Sequence, residues 1–271
     1  MTFDARETSL ADGQPIRLYL FERGQDRWAY CTADRDIEHA GVLYVSTSIT
    51  DNGTRQTGDI EADAFEIIGP HDLGVAQLYR GMIVSREITL TVRDVHYQDE
   101  EPLVSWVGRI HGVEWTAEDR CKITCQSMQA AMAQPGLRLS WSRNCPYALY
   151  GRGCGVDKTQ FEVPGTIAGL NGLSIEVAAL NGFADDYFTG GFIEWPVGDA
   201  EVERRTIESH TGTTAVMFGG TAGLVQGQAV TAYPGCPRTI EVCDSRFNNA
   251  ANYGGVPHLP GRSPFDGNPI F

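Results

Sequence analysis

Apolar and polar residues alternate along most of this chain in short runs broken by Gly, Asn and Asp, the period of half-buried β-strands. LYLFERG (18–24) and WAYCT (28–32) predict a strand pair around a polar turn, and VLYVSTSIT (42–50) a further strand ended by the turn signal DNG. In GMIVSREITLTVRDV (81–95), Val84, Ile88, Leu90 and Val92 fall opposite Ile83, Ser85, Glu87, Thr89 and Thr91, with a slip near Arg86. LVSWVGRIHGVEW (103–115) and RCKITCQS (120–127) continue in the same period. The first 127 residues therefore read as a twisted antiparallel sheet or barrel, and only MQAAMAQ (128–134) has a helical look.

From Phe161 to Ala232 the texture repeats in TIAGLNGLSIEVAAL, GGFIEWPV, EVERRTIESHTG, TTAVMFGG and LVQGQAVTAY, enough strands for a small barrel. The tail NYGGVPHLPGRSPFDGNPIF is too rich in Pro and Gly for a helix or a central strand and reads as an irregular arm. The expected fold is mainly β. Residues 1–135 form an N-terminal β-rich domain, 136–159 and 233–271 two halves of one C-terminal region, and 160–232 a β-domain inserted between them.

Charge adds a second asymmetry. Residues 1–120 carry 22 acidic against 11 basic side chains, a net of −11 within a total of −14. Such a half is poorly suited to gripping phosphates. It serves solubility, or forms a surface past which nucleic acid slides without sticking. No window of about 18 continuous apolar residues is present, so no membrane span is expected. The acidic N-terminus lacks the basic start and apolar core of a signal peptide, which points to assembly in a reducing cytoplasm.

In that compartment the seven cysteines are a poor disulfide framework. Cys31, Cys121 and Cys125 lie within strand patterns and read as small buried apolar residues. The other four read as loop residues, Cys145 and Cys154 in NCPYALYGRGCGVD and Cys236 and Cys243 in GCPRTIEVCDSRF, and all but Cys243 stand beside Gly or Pro. Glycine and proline there let backbone amides face sulfur, which buried thiolates require. The pattern C-x8-C then C-x6-C is long for zinc knuckles and suits an iron–sulfur cluster, while zinc and four unrelated cysteines stay open. If the four thiols meet, the chain between Cys154 and Cys236 must leave and return at one point, as a closed β-domain with adjacent ends does.

NCPYALYGRGCGVD, GCPRTIEVCDSRFNNAANYGGVPHLPG and, more weakly, WAYCTADRDIEHAGVLYVSTSIT resemble the tail-tip and baseplate hub proteins of long-tailed bacteriophages. That family includes the minor tail protein L of lambda-like phages and the hub protein of gene transfer agents. The resemblance implies a ring at the virion tail tip, usually a homotrimer, assembled in the host bacterial cytoplasm. Its implied partners are the distal tail protein, the central fibre or receptor-binding hub protein and the tape-measure protein, with double-stranded DNA passing during genome ejection without specific binding. It also implies a [4Fe–4S] cluster on Cys145, Cys154, Cys236 and Cys243, with Zn²⁺ the alternative. The 160–232 insertion departs from lambda-type members, which largely lack it.

An enzyme is not expected. His39, His71, His96, His111, His210 and His258 accompany no nucleophile signature, and G-x-S-x-G, H-E-x-x-H and P-loop motifs are missing from the sequence. A thiol or redox enzyme is the remaining alternative. Around the cysteines, Tyr147, Leu149 and Tyr150 read as packing. Arg152 reads as a donor to sulfur or a carboxylate's partner, and Phe247, Asn248, Asn252 and Tyr253 as the residues that fold the tail back.

Overall fold

The structure, a computed structural model, describes residues 3–9, 13–54, 64–80, 84–97, 102–128, 130, 139–197 and 201–259. The chain divides into two compact units, Met1–Gln134 with Val197–Glu201, and Pro135–Pro196 with Val202–Phe271.

The first unit is built on a nine-stranded sheet. Its strands are β1 (Pro15–Arg23), β2 (Asp26–Cys31), β3 (Ile37–His39), β4 (Val42–Ser46), β5 (Thr50–Asp51), β6 (Phe65–Pro70), β7 (Thr89–His96), β8 (Leu103–Ala117) and β9 (Arg120–Ser127). They lie in the order β3-β4-β2-β1-β7-β8-β9-β6-β5. The β1–β2 hairpin turns at Gly24, whose φ of +60° is costly for any residue with a Cβ.

β1 is covered on both faces, which explains its dense apolar run. Leu18 and Leu20 join Ile16, Cys31, Tyr44 and Val95 on one side. Tyr19 and Phe21 join Phe65, Ile67, Leu90, Trp106 and Ile123 on the other. Cys121 and Cys125 flank Ile123 on that buried face, so all three strand cysteines pack as small apolar side chains. Arg17, at the rim, donates to Asp94 at 2.6 Å and to Asp51 at 2.7 Å, and the Tyr19 hydroxyl donates to Asp51.

The sheet corrects three sequence expectations. β2 and β4 pair parallel, Tyr30 against Val45, so the sheet is not purely antiparallel. The strand expected over 81–95 begins only at Thr89, after a bend at Ser85–Arg86, though Ile88 is fully buried. β6, FEIIGP, was not anticipated. It alternates Phe65, Ile67 and Gly69 inward and is paired along its whole length with Arg120–Cys125 of β9. Most of MQAAMAQ, residues 129 and 131–134, lies outside the described residues.

The second unit holds a closed six-stranded barrel of β10 (Val163–Asn171), β11 (Ser174–Val177), β12 (Phe192–Val197), β13 (Glu201–Thr211), β14 (Thr214–Met217) and β15 (Ala229–Tyr233). The order is β10-β11-β14-β13-β12-β15. Ile167, Ile175, Val177, Leu180, Phe188, Ile193, Trp195, Ile207 and Met217 are buried in this unit. Closure pairs the start of β10 with the end of β15, Val163 opposite Ala232, so the segment leaves and returns at one place. From Tyr253 to Leu259 the tail has neither helix nor strand, and residues 260–271 of the expected arm lie outside the described residues.

Candidate metal centre

Barrel closure brings the two cysteine segments together. Cys145, Cys154, Cys236 and Cys243 all line one cavity of about 420 Å³ within the second unit. The segments are stitched directly: the Cys145 amide donates to the Arg238 carbonyl at 3.0 Å, and the Tyr253 hydroxyl is shared between the Arg143 and Arg238 carbonyls at 2.7 and 2.9 Å. The Val256 amide donates to the Ser142 carbonyl, laying the tail beside the first segment.

Three of the cysteines sit in irregular backbone, as expected, but Cys243 does not. It lies in the helix Ile240–Phe247, which corrects the expectation of a loop. Cys243 and Phe247, four apart, form the buried stripe, Glu241 stands in the first turn and Arg246 in the last, favourable for the helix dipole. The short IEV run next to a Cys–Pro pair hides this periodicity. The helix closes through Asn248 in the left-handed conformation, whose amide donates to the Asp244 carbonyl while the Asn249 amide donates to that of Cys243.

The loop between the first two cysteines is shaped by its tyrosines. The Tyr147 ring is held between Gly153 and Gly254: a Cβ on Gly254 would stand 2.4 Å from Tyr147 Cε2, and one on Gly153 2.8 Å from Cδ1. Tyr150, itself at φ +60°, donates to the Pro234 carbonyl at 3.1 Å and meets Phe161, Phe192, Tyr233 and Phe247 edge-on or tilted. Of these rings, Phe192 and Phe247 line the cavity. Arg152 is exposed and does not line the cavity, so neither role read for it is realised at the thiols.

Burial pushes the Cys236 and Cys243 thiols up, and the neighbouring cysteines push each further. The Arg238 amide, donating to Cys236 Sγ at 3.4 Å, and Arg246 partly oppose this at Cys236. Arg246 also fixes the approach to Cys236 by donating to the Gly235 carbonyl at 2.6 Å and to that of Tyr187 at 2.9 Å. Cys236 and Cys243 thus hold their protons near neutrality, and a bound cation would have to displace them.

A zinc ion with Zn–S bonds of about 2.3 Å holds four sulfurs roughly 3.8 Å apart. Among the described residues, no three His, Cys, Asp or Glu side chains stand close enough to bind one ion. Four thiols on one cavity, with no acidic side chain among its described lining residues, are a donor set of the kind that holds an iron–sulfur cluster or a zinc ion as thiolates.

Sequence reasoning missed Asn249. Its side-chain amide donates to the Cys154 carbonyl at 2.7 Å and lies 3.9 Å from Cys154 Sγ, and Cys243 Sγ donates to its carbonyl at 3.3 Å. The Asn pair after a helix ending in Phe247 is the signal that could have found it.

No described helix is long and apolar enough to cross a membrane. A chain of a solved structure described as "Virion of native gene transfer agent (GTA) particle" shares the fold, with a TM-score of 0.79 at 20% identity, over 99% of this chain and 96% of that one. An uncharacterized protein of Xylella fastidiosa (strain 9a5c) is 25% identical over 191 residues, 64% of this chain but 39% of its own length. The chain thus matches well under half of that relative. Residues 186–263, with Cys236 and Cys243, match the family described as "Phage conserved hypothetical protein BR0599". Residues 6–157, with Cys145 and Cys154, match that described as "Baseplate hub protein, N-terminal attachment domain". Since the latter match takes in more than half of its residues, the chain belongs to the baseplate hub protein family.

Proposed function

We propose that this protein is a hub-ring subunit at the distal end of a phage tail, in which Cys145, Cys154, Cys236 and Cys243 hold a structural [4Fe–4S] cluster. As a member of the baseplate hub family it is a structural component of a phage tail assembly. The finer reading is a trimeric ring joining the distal tail protein to the receptor-binding assembly, enclosing the tape-measure tip and the ejection channel. The observation that carries the cluster is that two segments 81 residues apart in sequence deliver four thiols to one cavity.

Bound there, the group ties both cysteine segments to the base of the barrel, and its binding free energy becomes folding free energy. The chain's own contribution is to bring the thiols together, line the site with Phe192 and Phe247, which Tyr150 packs against, and present the Arg238 amide to Cys236. A zinc-stabilised hub would need the four sulfurs to draw in around one ion.

The ring is tested by native mass spectrometry of the purified chain and by immunogold labelling of particles. A trimer, with label at the distal tail end, is expected. A monomer at micromolar concentration together with label on the capsid or along the tube would overturn the assignment.

A further inference from the structure

Resting on the cluster reading above, we propose that Asn249, oriented by Asn252, is the positioning residue of the four-cysteine centre, supplying an N–H to the Cys154 sulfur and anchoring Cys243. The contacts converge on this one residue from both cysteine segments. Its Nδ2 donates to the Cys154 carbonyl at 2.7 Å, with Cys154 Sγ 3.9 Å away. Its backbone amide donates to the Cys243 carbonyl at 3.0 Å, and its own carbonyl accepts from the Cys243 thiol at 3.3 Å. Asn252 Nδ2 donates to Asn249 Oδ1 at 2.7 Å, which engages the oxygen and leaves Nδ2 to face Cys154. Asn249 and Asn252 both line the cavity.

A carboxamide is the chemistry this position requires. It supplies two donors on one nitrogen, one for the loop carbonyl and one for a sulfur, and adds no charge. Donors to ligand sulfur stabilise the more negative, reduced state of a four-thiolate group and so raise its potential. The Cys243 thiol's bond to the Asn249 carbonyl ends when Cys243 loses its proton, so this contact belongs to the unloaded protein, whereas the amide contacts to Cys154 persist.

The test compares wild type, Asn249→Ala and Asn252→Ala as full chains purified without oxygen, by iron and sulfide content, reduction potential and iron release to a chelator. Circular dichroism controls for folding. In Asn249→Ala the reduction equilibrium should move about tenfold toward the oxidised form, about 59 mV for a one-electron couple, with iron release several-fold faster. Asn252→Ala, which keeps the donors but frees the amide to turn, should shift both readouts the same way by less. A folded Asn249→Ala that takes up no cluster also supports the positioning role. If Asn249→Ala does not fold, Asn252→Ala decides alone. A loaded variant with unmoved potential and release rate overturns the inference while leaving the cluster reading intact. Wild type without iron and sulfide instead removes the cluster reading, and this inference with it.

Discussion

Replacing Gly254 by alanine should destabilise the second unit through a single ring. A Cβ at this position meets Tyr147 Cε2 at 2.4 Å and Cζ at 2.7 Å, and the backbone of Gly153 also packs near the ring, since a Cβ there would stand 2.8 Å from Cδ1. Over-packing of this kind costs about 1–3 kcal/mol. Alanine also restricts the unfolded chain, which returns about 0.4–1 kcal/mol, so the expected net loss is about 1–2 kcal/mol. Because the clash is with one side chain, it should vanish in a Tyr147→Ala background, where Gly254→Ala becomes neutral or mildly stabilising. Urea denaturation of the four proteins closes a double-mutant cycle with an expected coupling of about 1–3 kcal/mol. Gly182→Ala, where a Cβ meets nothing within 4 Å, should show only the unfolded-chain effect, a gain of about 0.4–1 kcal/mol. Equal losses from Gly254→Ala in both backgrounds would refute the packing account, since no ring would then be responsible.

Other expectations concern the thiols and the acidic rim. Serine at Cys154 or Cys243 should abolish metal retention on desalting, while Cys31→Ser, in a separate buried cluster, should retain the wild-type metal content. Loading of the metal-free protein should strengthen as pH rises through and above the ordinary thiol range, because the Cys236 and Cys243 protons that must leave are held more tightly than usual; metal affinity flat between pH 6 and 9 would contradict this. In the first unit, burial opposes ionisation of Asp51, but hydrogen bonds from Arg17 and Tyr19 prevail and hold its carboxyl below the usual range. A depressed carboxyl contributes stability above its unfolded value of about 3.9 and loses it as pH falls through the folded one. Asp51→Asn should therefore cost about 1–2 kcal/mol at pH 7 and flatten the acid limb below about pH 4, read from thermal unfolding across pH.

How far the sequence carries the fold depends on what sets each element. RCKITCQS reads as a strand because both its pleat and its buried face are local, and β9 spans those same residues. FEIIGP was passed over because six residues ending in Gly–Pro offer too few periods, and its strand character comes from pairing with β9. The parallel β2–β4 contact is likewise invisible, since it joins residues brought together by the connection through β3. At the site, the four cysteines were legible as ligand candidates by type, three of them beside Gly or Pro. Their meeting depends on Val163 pairing with Ala232, a contact of long sequence separation that strand texture only suggests. Cys243 was misassigned because an eight-residue helix shows barely two turns of its stripe. Asn249 was missed because its role rests on a left-handed residue before it and a thiol 95 positions away.

The central claim is that these four thiols hold one cluster rather than one ion or nothing. Iron, acid-labile sulfide and zinc measured per chain in protein purified without oxygen test it directly. The account predicts a brown protein with about four irons and four sulfides per chain, lost together when Cys154 becomes serine. A colourless protein carrying one zinc per chain, or no metal at all, would contradict it.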